Sequence, residues 1–171
     1  MNSTIVRRVE PYEVATLKDV ASRTFYETFA HDDNLEEIQK YLNVALTIER
    51  LQSEIQNRHS HFFFVIIDDK IAGYLKLNFG PSKIEGEENP MEIQRIYLFP
   101  KYHGTGAGDA LFNKAFEVAH EYRSHFVWLE IWEQNHRGIK FCRKNGFKIF
   151  DSHIFMMGDE IQNNILMRIH I

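Results

Sequence analysis

The sequence predicts a mixed α/β domain, with one mostly antiparallel central sheet flanked by helices. Three observations carry this reading. The first third places apolar residues at helical spacing, the middle switches to short β-rich runs broken by turn residues, and the second half alternates strand and helix. With 44% hydrophobic and 13% aromatic residues, the 171-residue chain suits a single domain, 1–171, with a full core.

Thr4 to Val9 reads as a first strand. Glu13 to Phe29 follows as a helix, with Val14, Leu17, Val20, Ala21, Phe25 and Phe29 along one face. Asn34 can cap a second helix carrying Leu35, Ile38, Tyr41 and Leu42, and Thr47 a third with Leu51 and Ile55 inward. Phe62 to Ile67 and Ile71 to Phe79 form a hairpin across Asp68-Asp69-Lys70. Gly80 to Pro90 is a polar loop, and Glu92 to Phe99 is a strand ended by Pro100. Asp109 to Tyr122 is a helix, with Leu111, Ala115, Val118 and Tyr122 on one face. Phe126 to Trp132 is a strand, and Asn135 to Asn145 a helix stopped by Gly146. Phe147 to Phe155 and Ile165 to Ile169 close the domain as strands joined by a polar loop. Parallel neighbours joined by a crossover helix are expected between Glu92 and Trp132.

Composition removes several function classes. Cys142 is the single cysteine, which excludes an intramolecular disulfide and suits a reducing, cytoplasmic setting. The first residues lack the apolar stretch of a signal peptide, and no apolar run is long enough to span a membrane, so no membrane partner is expected. A formal net charge of −4 argues against nucleic acid and suits a cationic small molecule. His120-Glu121 and His125 imitate a zinc helix, but a five-residue spacing puts the histidines on different faces, so no metal is expected. A homodimer is compatible with the sequence, which does not fix the oligomeric state.

The chemistry concentrates in Arg95-Ile-Tyr-Leu-Phe-Pro-Lys-Tyr-His103-Gly104-Thr-Gly106-Ala-Gly108-Asp109. A strand ends, glycines alternate, and a long helix begins. Glycine permits positive φ and close approach of a ligand, while amides at a helix start favour an anion. A dinucleotide fingerprint fails because Asp109 stands where its third glycine belongs. A Walker A loop fails because no Gly-Lys pair occurs in the chain.

The spacing His103-x-x-Gly106-x-Gly108 resembles the coenzyme A pyrophosphate loop of the GNAT acetyltransferases. Leu129 to Trp132, Asn135 and Gly146-Phe147 are similar to that family's second signature. Thr24 to Ala30, Ala72 to Leu77 and His153-x-Phe155-x-x-Gly158-Asp159-Glu160-x-Gln162 look like bacterial spermidine/spermine N-acetyltransferases. The resemblance covers nearly the whole chain. It implies the GNAT fold, acetyl-CoA as cofactor and transfer of an acetyl group to a primary amine by direct attack in a ternary complex.

By the same resemblance, Ile96, Tyr97 and Leu98 line the pantetheine, with the Leu98 N–H facing the thioester oxygen. His103, Gly104, Thr105, Gly106, Ala107, Gly108 and Asp109 hold the pyrophosphate, although the family pattern has Gln or Arg where this chain has His103. Asn135 contacts the cofactor edge, caps the following helix, or both. Glu92 matches the position of a catalytic glutamate in some members, and period two places it on the inward face with Leu98. Cys142 stands where relatives carry a tyrosine that protonates the leaving thiolate. It acts as the acid, or it is packing while Tyr97 or Tyr102 substitutes. Phe25, Tyr26, Phe29 and Trp132 can face a cation, and Asp32, Asp33 or Glu36 can attract a polyamine. Two alternatives stay open: another acceptor (a protein N-terminus, lysine, amino acid or drug amine), and a catalytically degenerate acyl-CoA binder.

Overall fold

The computed structural model describes residues 3–80 and 89–171, apart from the side chain of Met157. The elements run β1 (Thr4–Arg8), α1 (Val14–Phe29), α2 (Leu35–Ala45), α3 (Ile48–Gln56), β2 (Ser60–Ile67), β3 (Lys70–Asn78) and β4 (Pro90–Leu98). Then come α4 (Ala107–Glu121), β5 (Phe126–Trp132), α5 (His136–Lys144), β6 (Lys148–Met157) and β7 (Glu160–His170). The strands form one sheet in the order β1-β2-β3-β4-β5-β7-β6. Its pairs are antiparallel except β4 with β5, the parallel neighbours that the crossover helix α4 connects. Most of the polar stretch expected between Gly80 and Pro90, residues 81–88, lies outside the described residues.

Each face of the sheet buries its own apolar layer. Leu75, Leu77, Met91, Ile93, Val127 and Leu129 pack with Leu111, Phe112 and Ala115 of α4 and Cys142 of α5. On the other face, Phe62, Phe64 and Tyr74 pack with Leu17, Val20 and Phe25 of α1, Ile38 of α2 and Leu51 of α3. The β2–β3 turn works because Asp68 and Asp69 both take positive φ, 48° and 64°, which matches the twist of a tight hairpin. No described helix is long and apolar enough to cross a membrane.

The structure corrects the sequence reading in several places. Helix α4 starts at Ala107, before Asp109, because Gly106 takes the N-cap position with φ 88°. The polar loop expected between the last two strands is instead a continuation of both, closed at Gly158-Asp159. Gln162 and Asn164 made that stretch look solvent-facing, yet both are buried at alternate positions of β7. Thr47 caps α3, accepting from the Arg50 N–H at 3.2 Å. Asn34 makes no such cap bond. Its side chain accepts from the His31 N–H and donates to the Phe29 carbonyl, each at 2.8 Å, and so ties the α1–α2 turn.

Two irregularities of β4 open a cleft in the sheet. Against β3, Lys76 pairs with Arg95 and Leu77 with Ile93, so Gln94 is an extra residue on β4. Against β5, β4 pairs only from Pro90 to Ile93. Past that point β5 keeps its pairing with β7 as far as Trp132, so the sheet opens between β4 and β5.

Candidate active site

The opening between β4 and β5 leads into a cavity of roughly 280 Å³. Glu92, Arg95, Ile96 and Tyr97 line it from β4, and Glu130 and Trp132 from β5. In the antiparallel β3–β4 ladder the Phe99 N–H donates to the Ala72 carbonyl at 2.9 Å. Alternate residues point the other way, so the Ile96 and Leu98 amides face the opening. A strand with outward amides and no partner can be continued by an extended ligand.

Glu92 and Leu98 do not share a face, contrary to the period-two expectation. Leu98 packs with the α4 layer. Glu92 accepts from Asn78 Nδ2 at 2.9 Å on the other side, the face that also carries Arg95 and Tyr97. The extra residue Gln94 lies between them and reverses the alternation. Glu92 is nevertheless buried and lines the cavity.

At the far end of β4 the chain enters the glycine turn. Gly104 and Gly106 have φ of 76° and 88°, and a Cβ built on either would meet nothing within 4 Å. Their requirement is therefore conformational. Gly108 differs: a Cβ there would lie 3.0 Å from the Phe141 ring, so it is needed for the approach of α4 to α5. The first intrahelical bond of α4 runs from Ala110 to the Gly106 carbonyl. The amides of Ala107, Gly108 and Asp109 thus form the positive end of the helix. Burial, aided by nearby Arg137, holds the His103 imidazole below its ordinary pKa. Arg137, two residues past Asn135, adds a fixed positive charge to the turn's surroundings that the sequence reading missed. Its place at the start of a helix rich in basic residues was the available signal.

Asn135 and Cys142 line the cavity from the α5 side. The Asn135 side chain accepts from the Gly138 N–H at 3.0 Å, so the capping role is realised. Cys142 is buried, and burial pushes its thiol up to about 12. The thiol therefore stays protonated and is a very weak acid.

Across the cavity, α1 and α2 supply an aromatic wall. Phe25 stacks on Tyr41 with centroids 4.7 Å apart, and Phe29 meets Trp132 at 5.6 Å. Of the sequence-predicted acceptor residues, Phe25, Phe29 and Trp132 line the cavity and Tyr26, Asp32, Asp33 and Glu36 do not. Tyr26 follows Phe25 around the helix and is exposed, and Asp33 is exposed in the turn before α2.

The same face gathers charges that no local pattern links. Glu54 of α3 takes Lys76 at 2.9 Å and Arg95 at 3.1 Å on one carboxylate oxygen. Burial works to raise the Glu54 carboxyl, but Arg95 and Lys76 outweigh it and hold it low. Burial pulls the Lys76 ammonium down to about 8, with Arg95 acting in the same direction. On the β5 side, Glu130 accepts from Asn164 Nδ2 at 2.8 Å and lies 2.7 Å from His153 Nε2.

Known proteins share both this sequence pattern and this architecture. Residues 15–147 match the acetyltransferase (GNAT) family. An uncharacterized N-acetyltransferase in the pepI 3′ region of Lactobacillus delbrueckii subsp. lactis is 33% identical over 150 residues, 87% of each chain. A spermidine N(1)-acetyltransferase of Thermoplasma acidophilum is 26% identical over 151 residues, 86% of this chain and 89% of that one. The crystal structure of PaiA N-acetyltransferase from Thermoplasma acidophilum in complex with coenzyme A superposes with a TM-score of 0.82 at 23% identity, over 99% of both chains, which shows the shared fold. The opened parallel pair, the glycine turn and these matches agree: the chain belongs to the acetyltransferase (GNAT) family and is an acyl-CoA-dependent N-acetyltransferase that uses acetyl-CoA.

Proposed function

We propose that the protein acetylates a primary amine, foremost a polyamine such as spermidine or spermine, by direct attack in a ternary complex. One observation carries the reading. The cleft opened by the parting of β4 from β5 runs from an anion-ready turn to an aromatic cavity holding carboxylates. The residues fit the cofactor: outward amides at Ile96 and Leu98 suit the amide groups of a pantetheine, and the α4 start suits a pyrophosphate. The polyamine assignment draws on the carboxylates beside the aromatic wall and on the Thermoplasma relative named as a spermidine acetyltransferase.

Acetyl-CoA, when bound, would supply the thioester: the amine nitrogen forms the new C–N bond, the C–S bond breaks, and CoA leaves as a thiolate. The thiolate takes its proton from water in the open cleft, since the buried Cys142 thiol is too weak an acid to give it. Glu92 takes the proton that the amine loses on attack, from within the cavity and held by Asn78. The Leu98 N–H points at the side where negative charge develops. His103 to Asp109, with Arg137 behind them, hold the diphosphate, and Asn135 combines its capping role with a contact to the cofactor edge. Phe29 and Trp132 give the acceptor its apolar walls.

A thiol-release assay with acetyl-CoA and a panel of amines tests the proposal, alongside calorimetry for CoA binding. Turnover with spermidine supports it, and turnover confined to another amine moves the acceptor. CoA binding with no thiol release from any amine would overturn it.

A further inference from the structure

The acceptor face holds one carboxylate whose environment the transfer chemistry does not use. Glu54, Lys76, Glu92 and Arg95 form a group in which two negative charges meet two positive ones. Glu130 stands apart from it on β5. Among the described residues its side-chain partners are the Asn164 amide, at 2.8 Å, and the His153 imidazole, at 2.7 Å. Asn164 is 7% exposed and lines the cavity, and its Oδ1 is buried with no hydrogen-bond partner. A buried carbonyl oxygen without a donor is costly unless a ligand supplies one. Glu130 and Asn164 Oδ1 are both acceptors, and Trp132 is on the same face of β5 two residues beyond Glu130. Such a set is complementary to a cationic nitrogen that brings several N–H donors and an alkyl chain.

We propose that Glu130, held by Asn164, anchors a second cationic nitrogen of the acceptor. The anchor rests on the amine-acetylation reading above and sharpens it: the preferred acceptor is an aliphatic diamine or longer oligoamine, not a monoamine. Register supplies the spacing. Glu92 is level with Trp128 across the β4–β5 pair, and Glu130 lies two residues further on the same face. Standard strand dimensions then put the two Cα positions roughly 8 Å apart, and the opening of the sheet adds to that. One nitrogen near Glu92 and another near Glu130 therefore need a short methylene chain between them. The His153 imidazole, half exposed at the rim, occupies the Glu130 carboxylate until the acceptor's distal nitrogen displaces it.

The test compares 1,4-diaminobutane with butylamine, by kcat and KM, in the wild type, Glu130→Gln and His153→Ala, with calorimetric CoA binding as the check of folding. Glu130→Gln is expected to raise the diamine KM ~10- to 100-fold with a much smaller change in kcat, so that the diamine-to-monoamine ratio of kcat/KM collapses. His153→Ala, at a rim position that tolerates change, is expected to lower the diamine KM by freeing the carboxylate. An unchanged ratio in Glu130→Gln overturns the anchor, as does a fall in kcat at constant KM, which would put this carboxylate at the reacting nitrogen. Should Glu130→Gln fail to bind CoA, a His153→Ala effect equal for both amines overturns the anchor instead. A wild-type protein that binds CoA yet acetylates neither amine, nor spermidine, overturns the polyamine assignment and the anchor with it.

Discussion

Glu92 and Leu98 are six residues apart on β4 and face opposite sides of the sheet, with the extra residue Gln94 between them. Leu98 turns its side chain to the α4 layer and its N–H to the cleft. Glu92 turns its carboxylate into the cavity. The bulge thus sends a backbone donor and a carboxylate from one strand to two sides of the same opening.

From that arrangement, Glu92→Gln is expected to lower kcat ~100-fold, within the range for loss of a general base, while calorimetry shows CoA binding unchanged. A kcat within a few fold of wild type would remove Glu92 from the proton path.

Cys142 is buried and its thiol is pushed up to about 12, so it has little tendency to give a proton to a leaving thiolate. Cys142→Ala is expected to leave kcat near the wild-type value with a modest loss of stability. Cys142→Tyr, which points a phenol into the cavity, is expected to raise kcat at saturating amine by ~10-fold or more. A loss of rate in the tyrosine variant would mean that the surroundings have repacked around the smaller side chain.

The glycines of the turn separate into two kinds. Gly106→Ala forces a Cβ into the left-handed region at φ 88°, at a cost of about 1–2 kcal/mol. A drop of roughly 2–8 °C in Tm and weaker CoA binding are expected. Gly108→Ala instead meets the Phe141 ring at 3.0 Å. Shortening the neighbour in Gly108→Ala/Phe141→Leu is expected to recover stability, whereas no change at Phe141 rescues Gly106→Ala. Thermal melts of these variants separate the two causes.

His61 is buried beside Phe79 and Tyr122, and burial, with Arg8 nearby, lowers its pKa from 6.5 to about 4. The folded state then binds fewer protons than the unfolded state between those values. Stability from the neutral ring is complete above pH 6.5 and is lost as pH falls toward 4. Urea unfolding at pH 7 and pH 5 is expected to show a smaller difference for His61→Phe than for the wild type. Equal differences would show that other groups carry the acid sensitivity.

By itself the sequence determined the order of elements, the two-sided burial of the sheet and the amide-rich turn before α4. These follow from local periodicity and from glycines whose φ values few other residues accept. The family resemblance pointed to Asn135 and Cys142, and aromatic character to Phe29 and Trp132, and all four line the cavity. Tertiary structure alone decided the face of Glu92, because a bulge in one strand is visible only against its neighbour's register. It also decided the hairpin of β6 and β7, whose buried Gln162 and Asn164 read locally as loop. The meeting of Glu54 with Lys76 and Arg95, and of Glu130 with His153 and Asn164, joins residues far apart in the chain. Local patterns record which face of an element is apolar. They carry no information on which distant charge will be brought opposite, and that is where the charged wall of this cleft is set.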